Sequence, residues 1–506
     1  MKKVVVIGAG IAGLSAAIYA QRSGFDVTLC EQHFIAGGMC TSWKRKGYLF
    51  EGAVHWLTGS SKKTQLYQVW KDTGALNDDV KVLLDDPFCA VDHNGQTLNL
   101  YRDINKTVKE LIDISPKDKK RLSCLVKDVK AFTNVQMPVY DIKNVKAENP
   151  KRMGIGMLIK MMPAFPVLSK LKKISCKDYI NQFDHKGIRR LLNIVPENFS
   201  AVSLIATLAT LNAGDGGYPE GGSLAMTDRM VKTFEGLGGK LMLKTKVKKV
   251  NIENGNVTGV TLENSTNGSG SRSEASSTLP ADAVIVTQET INAAKQLFDI
   301  PLDPWVNELC ETTKSTVCTF VSVGIKTEIP QSPLPAWELK EPIICAEETI
   351  TEIGFNNYFG YENYAPKGCT TLTTAFMGTS IAGYDTYDFW KKAKDEGRYD
   401  EEKKTLAEQI ERILNQRFPQ AVGNIEVIDI ATPLTYERYT GAYHGSWMSV
   451  AASGEKMKSW PGYLKNTNGV FFAGHRIMPP GGLPVAVFTG RQAAQMVCKY
   501  FDVMFR

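Results

Sequence analysis

The sequence has no pair of cysteines in C-x-x-C spacing and no cysteine with a histidine at zinc-finger distance, although its 506 residues include ten cysteines. A structural zinc site, a thioredoxin-like redox motif and a small disulfide framework are excluded on that count. Free thiols in a reducing, cytoplasmic compartment are expected, with no metal. Long hydrophobic runs are lacking too. The nearest approach to the roughly 20 apolar residues that cross a bilayer is residues 153–168, which Lys160, Pro163 and Pro166 interrupt. Nor is there a strong surplus of one charge: 60 Lys and Arg stand against 53 Asp and Glu, and the balance of +7 is spread over most of the chain. That argues against a nucleic-acid partner. Internal repeats and coiled-coil heptads are absent. What remains is a chain 43% hydrophobic and 22% charged, long enough for a large core and about two to four domain-sized units.

The first 31 residues carry the clearest pattern. Lys2 and Lys3 before an apolar run could open a signal peptide, but Gly8, Gly10 and Gly13 punctuate that run at meaningful spacing. Val4-Val5-Val6-Ile7 is the unbroken β-branched run of a strand buried on both faces, and Leu14 to Arg22 has a helical pattern that Gly24 stops. Asp26 to Cys30 reads as a second strand ending at Glu31, which completes a strand–helix–strand unit. In such a unit the three glycines permit a tight turn, close approach of backbone to a pyrophosphate, and close packing of helix on strand. The phosphate charge then meets unsatisfied N–H groups at the helix N-terminus. Glu31, roughly 20 residues beyond the first glycine, can accept hydrogen bonds from ribose hydroxyls and disfavours a 2′-phosphate. A bare glycine-rich turn would be weak support, but the order strand, glycines, helix, strand, acid makes this a dinucleotide site.

From about Tyr67 glycine becomes sparse and helical patterns dominate. Ser115-Pro116 predicts a helix start, with Ser as N-cap and Pro in the first helical position, leading into Lys117 to Phe132. Residues 151–177 contain Lys151, Arg152, Lys160, Lys170, Lys172, Lys173 and Lys177 and no acid, with Met153, Met157, Leu158, Met161, Met162 and Phe165 between them. An ordinary solvated helix is one reading; an interfacial patch, with apolar side chains in the acyl boundary and cations on anionic headgroups, is the one favoured. Further on, Leu224 to Leu237 predicts a helix, and the alternation Leu241-Leu243-Thr245-Val247 and Val257-Val260-Leu262 around Glu253-Asn254-Gly255-Asn256 predicts a β-hairpin. Asn264 to Ser277 reads as an exposed, mobile loop. Ala283 to Val286 and Val470 to Ala473 read as buried strands, Glu401 to Gln416 as a surface helix, and Val485 to Phe501 as a closing helix.

After Glu31 come Ala36-Gly37-Gly38-Met39-Cys40-Thr41 and then Gly47-Tyr48-Leu49-Phe50-Glu51-Gly52-Ala53-Val54-His55-Trp56-Leu57. These segments resemble the flavoproteins that include phytoene desaturases, carotenoid isomerases, retinol saturase and, more distantly, amine oxidases. There a second glycine pair follows the ribose-binding acid along the FAD, and a G-x-x-F-[DE]-x-G segment comes next. Tyr218-Pro219-Glu220-Gly221-Gly222-Ser223 is similar to the family's Pro-x-Gly-Gly segment, and Thr432-Pro433 with Tyr436-Glu437-Arg438-Tyr439 to its later Thr-Pro segment. Gly469 to Gly474, Pro479-Pro480-Gly481-Gly482-Leu483-Pro484 and Gly490-Arg491-Gln492 resemble its terminal flavin-binding motif. Gly481 and Gly482 let backbone lie against the flavin edge, with the positive end of the following helix aimed there. One departure is His475, where many relatives carry an acid.

The resemblance implies an α/β fold: a Rossmann-like FAD-binding domain of glutathione-reductase type, discontinuous over residues 1–66, 215–298 and 425–506, with an inserted α+β substrate domain over 67–214 and 299–424. It assigns to the FAD Gly8, Gly10, Ile11, Ala12, Gly13, Glu31, Gln32, Gly37, Gly38, Met39, His55, Val247, Gly474, His475, Gly482, Leu483 and Pro484. His55, Tyr439, Tyr443 and His444 lie in or beside these motifs and are the candidate catalytic groups, each with packing as its competing role. Cys30 and Cys40 have no redox partner and read as structural thiols. The implied reaction is desaturation, saturation or isomerisation at carbon–carbon double bonds of a long hydrophobic molecule: a carotenoid, a retinoid or an unsaturated fatty acyl chain. No second complete G-x-G-x-x-G unit is present, so a separate electron donor or acceptor is expected, as is peripheral contact at the cytoplasmic face of a membrane. Two other readings on the same scaffold are a flavin amine oxidase, with Tyr439 and Tyr443 in an aromatic cage, and a non-catalytic prenyl- or lipid-binding protein. The intact glycine pairs speak against the last.

Overall fold

The computed structural model describes residues 1–152, 154–263, 277–378, 385–450, 453–454 and 458–506; Met153 and nearly all of the loop expected at Asn264 to Ser277 lie outside the described residues. The opening apolar run forms the strand Lys3–Ile7 at the centre of a five-stranded sheet. Its neighbours are Ala283–Val286 and Asp26–Cys30, with Val470–Phe472 and Lys240–Met242 at the edges, and every pairing is parallel. Both faces of such a sheet must be covered, which is why Val4 to Ile7 are all apolar. Val4 and Val6 enter a core made with the helices Ile11–Arg22, Gly222–Gly236 and Gly482–Tyr500, while Val5 and Ile7 enter a second core on the opposite face. All four are at most 4% exposed.

The opposite face is covered by an antiparallel meander of Val247–Glu253, Asn256–Leu262 and Thr278–Pro280. Its first turn has positive φ at Asn254 and Gly255, 49° and 75°, as a two-residue hairpin of the I′ type requires. The expected hairpin is therefore present, but its first arm is divided. Leu241 belongs to the parallel edge strand Lys240–Met242, paired with Leu29, and the hairpin strand starts only at Val247.

Between these segments lie two further cores. Helices Ile104–Ile114, Lys119–Phe132, Cys176–Ile180, Lys186–Leu192 and Ala201–Asn212 pack around Leu122, Leu125, Ile188 and Leu204. The second of them starts after a 3-10 turn at Pro116–Asp118, because Ser115 donates its hydroxyl to Asp118 (2.8 Å) instead of capping the helix. An antiparallel sheet of Asn356–Asn357, Thr370–Met377, Cys318–Ile325 and Ile425–Ala431 packs on the helix Tyr399–Arg417. The strand Ile425–Ala431, which the sequence reading grouped with the cofactor segments, pairs with Cys318–Ile325.

Within 154–173 lie two short helices, Ile155–Met161 and Ala164–Leu171, the first of which buries none of its residues. Ile155, Ile159, Met162 and Phe165 are each more than half exposed. Among the described residues no helix is long and apolar enough to cross a membrane.

Candidate active site

In an open parallel sheet, ligands bind outside the carboxyl ends of the strands. Here four of those ends, at Gly8, Glu31, Thr287 and Gly474, open onto one cavity of about 1260 Å³. The helix Ile11–Arg22 begins there at Gly10, with no side-chain cap and no acid in its first turn, so its orphan N–H groups and positive end are left for an anion. A methyl group at Gly13 would collide with the carbonyl oxygen of Gly8, and one at Gly38 would come within 3.3 Å of the Gly10 Cα. Glycine is thus required for the turn to close and for Gly37-Gly38 to lie against it. Glu31, 7% exposed, accepts hydrogen bonds from the backbone N–H of Ala9 (2.8 Å) and His33 (2.9 Å). Its carboxylate keeps further lone pairs for hydroxyl donors.

A second helix delivers its N-terminus to the same cavity. Gly482–Tyr500 starts after Gly481, which has φ of 89°, and again has neither a side-chain cap nor an acid in the first turn. Gly482, Leu483 and Pro484 line the cavity beside Gly474 and His475. The Nδ1 of His475 is buried without a hydrogen-bond partner. Burial, and then the charge of Arg476, lower its pKa to about 3, so the imidazole is neutral. Arg476 pairs with Glu289 on the same wall (2.5 Å).

His55 also lines the cavity, and the Asn356 side-chain amide donates to its Nδ1 (3.1 Å). Burial lowers the pKa of His55; the neutral ring, with Nδ1 accepting, carries its proton on Nε2. Trp447 stands edge-on to it at 6.2 Å. His55 is held in place by Glu51, which is fully buried and accepts from the N–H groups of Ala53 (3.0 Å), Val54 (3.2 Å) and Ser223 (3.0 Å) and from the Tyr218 hydroxyl (2.8 Å). Glu51 thereby fixes the segment that carries His55 to the N-terminus of the helix Gly222–Gly236.

Beyond His55 the cavity runs between apolar walls, including Phe88, Phe132, Val135, Phe199 and Val202, to Leu168 and Lys172 at the exposed helix pair. Of the expected cofactor residues, Gly8, Gly10, Ile11, Ala12, Glu31, Gly37, Gly38, Met39, His55, Gly474, His475, Gly482, Leu483 and Pro484 line this one cavity. Gly13 packs behind it, Val247 lies in the core of the meander, and Gln32 faces a small surface recess with Lys244, Arg438 and Tyr439.

Three of the four candidate catalytic groups lie outside the cavity. Tyr439 is 43% exposed on that recess. Tyr443 and His444 stack on each other (4.0 Å), and His444 stacks on Tyr387 (4.4 Å). Thr440, Ala442, Ser446 and Trp447 on either side of them line the cavity, but in the 3-10 turn Tyr443–Gly445 the two rings turn instead to Lys295 and Tyr387. Thr287, Gln288, Glu289, Asn356, Trp447 and Arg476 line the cavity without having been singled out. For residues 287–289 there was a signal: they follow the buried strand Ala283–Val286 at its carboxyl end.

Comparison with known proteins places these features together. Residues 11–498 match the model of the flavin containing amine oxidoreductase family. The chain is 23% identical to the 1-hydroxycarotenoid 3,4-desaturase of Flavobacterium sp. (strain P99-3) over 98% of its own length and 99% of that protein's. It is 21% identical to the all-trans-retinol 13,14-reductase of Danio rerio, covering 87% of this chain and 76% of that one. Among solved structures, putrescine oxidase bound to putrescine shares the fold, with a TM-score of 0.58 and 16% identity over 98% of both chains.

Proposed function

Because the chain belongs to the flavin-containing amine oxidoreductase family, we propose that it is a FAD-dependent oxidoreductase acting at carbon–carbon double bonds of a long polyene of the carotenoid or retinoid class. The observation that carries this reading is the single continuous cavity. At about 1260 Å³ it exceeds the roughly 300–1,000 Å³ of a one-ligand site, and its two parts differ: glycine turns and helix N-termini at one end, apolar walls at the other. The similarity to a desaturase of hydroxycarotenoids and a reductase of retinol supports the substrate class.

Bound at the glycine end, FAD supplies two-electron exchange with carbon. The rest falls to the chain itself. The N-terminus of Ile11–Arg22 binds the diphosphate, Glu31 the adenosine ribose, and Gly481-Gly482 allow backbone to lie against the ring. His55, neutral and oriented by Asn356, presents the proton on Nε2 beside the apolar section. The apolar walls exclude water from the reacting carbons. With one G-x-G-x-x-G unit in the sequence, electrons are exchanged with a separate donor or acceptor.

The same reading extends to a membrane surface. Ile155, Ile159, Met162 and Phe165 project among Lys160, Lys170, Lys172 and Lys173, and Leu168 and Lys172 of this region also line the cavity. Apolar residues ringed by cations suit an anionic bilayer that holds the substrate.

The test is anaerobic incubation of the protein loaded with oxidised FAD, and in parallel with FAD reduced by dithionite, with vesicles carrying carotenoids or retinoids, and separately of the oxidised form with a panel of amines, followed by chromatography of the polyene. A polyene product with changed saturation or geometry is expected. Flavin bleaching by amines alone, with every polyene unchanged, would overturn the assignment.

A further inference from the structure

Glu289 and Arg476 form an ion pair on the cavity wall, with Nε 2.5 Å from Oε1 and side chains 7% and 1% exposed. Burying both groups forfeits their hydration, and such pairs persist only where further hydrogen bonds hold them. Both ends are held. The Glu289 carboxylate accepts from the backbone N–H of Ile291 (3.2 Å) and Asn292 (3.0 Å) at the start of the helix Thr290–Gln296. The Arg476 guanidinium also donates to the hydroxyls of Ser315 and Ser446. The two residues come from different strand ends, Val286 and Phe472, so the pair has fixed position and direction beside Gly474 and Gly481. The other charged residues on the wall are Glu31, Asp85, Arg102, Lys172 and Asp215.

We infer that the Glu289–Arg476 pair sets the reduction potential of the flavin: the guanidinium favours, and the carboxylate opposes, the negative charge that the ring gains on reduction. Two electrons and one proton added to the oxidised ring leave it with one negative charge, and fixed charges near the ring are among the means by which a protein tunes it. His475, the neighbour of Arg476 in sequence, lines the same wall, and the charge of Arg476 adds to burial in lowering its pKa. This inference rests on the FAD assignment above.

The experiment is the midpoint potential of bound FAD at pH 8. It is measured in the holoprotein, in Glu289→Gln, Arg476→Met and Arg476→Lys, and in the double variant of the first two. Glu289→Gln should shift the reduced-to-oxidised ratio at least tenfold towards reduced, about 30 mV upward for a two-electron couple. Arg476→Met should shift it as far the other way. Arg476→Lys should stay within threefold of the parent, and the double variant should return towards it. A merely structural role would move the single variants in the same sense or not at all, and either result overturns the inference. If Arg476→Met does not fold, Glu289→Gln still decides, because Gln keeps the helix cap. Protein that retains no FAD contradicts the cofactor assignment itself; FAD retained at an unmoved potential contradicts only the role of the pair.

Discussion

His475 lies on the cavity wall with its ring held neutral down to a pKa of about 3 by burial and by Arg476. The unfolded chain takes up a proton there near pH 6.5 and the folded apoprotein does not, so stability is lost as pH falls from about 6.5 towards about 3. At pH 5 the loss should approach about 2 kcal/mol. Urea unfolding of the apoprotein at pH 7 and pH 5 checks this: His475→Gln should lose most of that difference, whereas equal acid sensitivity would show that the imidazole is not shielded. Glu51 carries a different kind of constraint. Its Ala variant strands the buried donors of Ala53, Ser223 and Tyr218 and should cost about 3 kcal/mol or more, read as a lowered urea midpoint. A loss under 1 kcal/mol would mean that water replaces the carboxylate. The position of Glu51 in its motif was visible in the sequence, and so was that of Glu31. Their partners were not, because Ser223 and Tyr218 are brought to Glu51 only by the folded chain.

Local chemistry sets the two N-termini that face the cavity. Gly10 and Gly481 begin their helices without a capping side chain, and that omission is what leaves both ends open to anions and to a ring edge. The helices themselves touch where Gly490 meets the first: a methyl group there would press on the carbonyl oxygen of Ala12. Gly490→Ala should therefore push the helices apart, weaken FAD binding at least tenfold and lower stability by about 1–3 kcal/mol, measured by flavin titration and thermal unfolding. Unchanged binding would show that the contact can relax. Periodicity located most helices and the central strands. It could not tell that Leu241 belongs to the parallel sheet or that Ile425–Ala431 joins the antiparallel one, since each pairs with a strand a hundred or more positions away. The exposed helix pair Ile155–Met161 and Ala164–Leu171 was legible as an unusual composition. Replacing Ile159, Met162 and Phe165 by Gln together should reduce sedimentation with anionic vesicles at least tenfold and leave FAD absorbance intact; undiminished sedimentation would place any membrane contact elsewhere.

The cavity proposed to hold the cofactor is lined by residues as far apart as Gly8, Thr287 and Gly482, so no single stretch of sequence contains it. Ordered motifs were enough to foresee the parallel sheet and most of the residues at its carboxyl ends, because each motif needs glycine or an acid at a fixed place. The apolar section was not foreseeable residue by residue: Phe88, Phe132 and Phe199 come from segments without a motif, and they become one wall only in three dimensions. For the same reason Tyr443 and His444, close to a motif in sequence and between cavity-lining residues, turn their rings to Lys295 and Tyr387 instead. The decisive observation is the visible absorption spectrum of the purified protein after incubation with FAD and gel filtration. Flavin bands corresponding to one FAD per chain are predicted, lost when Gly10 is replaced by a bulkier residue; a colourless protein that retains no FAD would contradict the assignment.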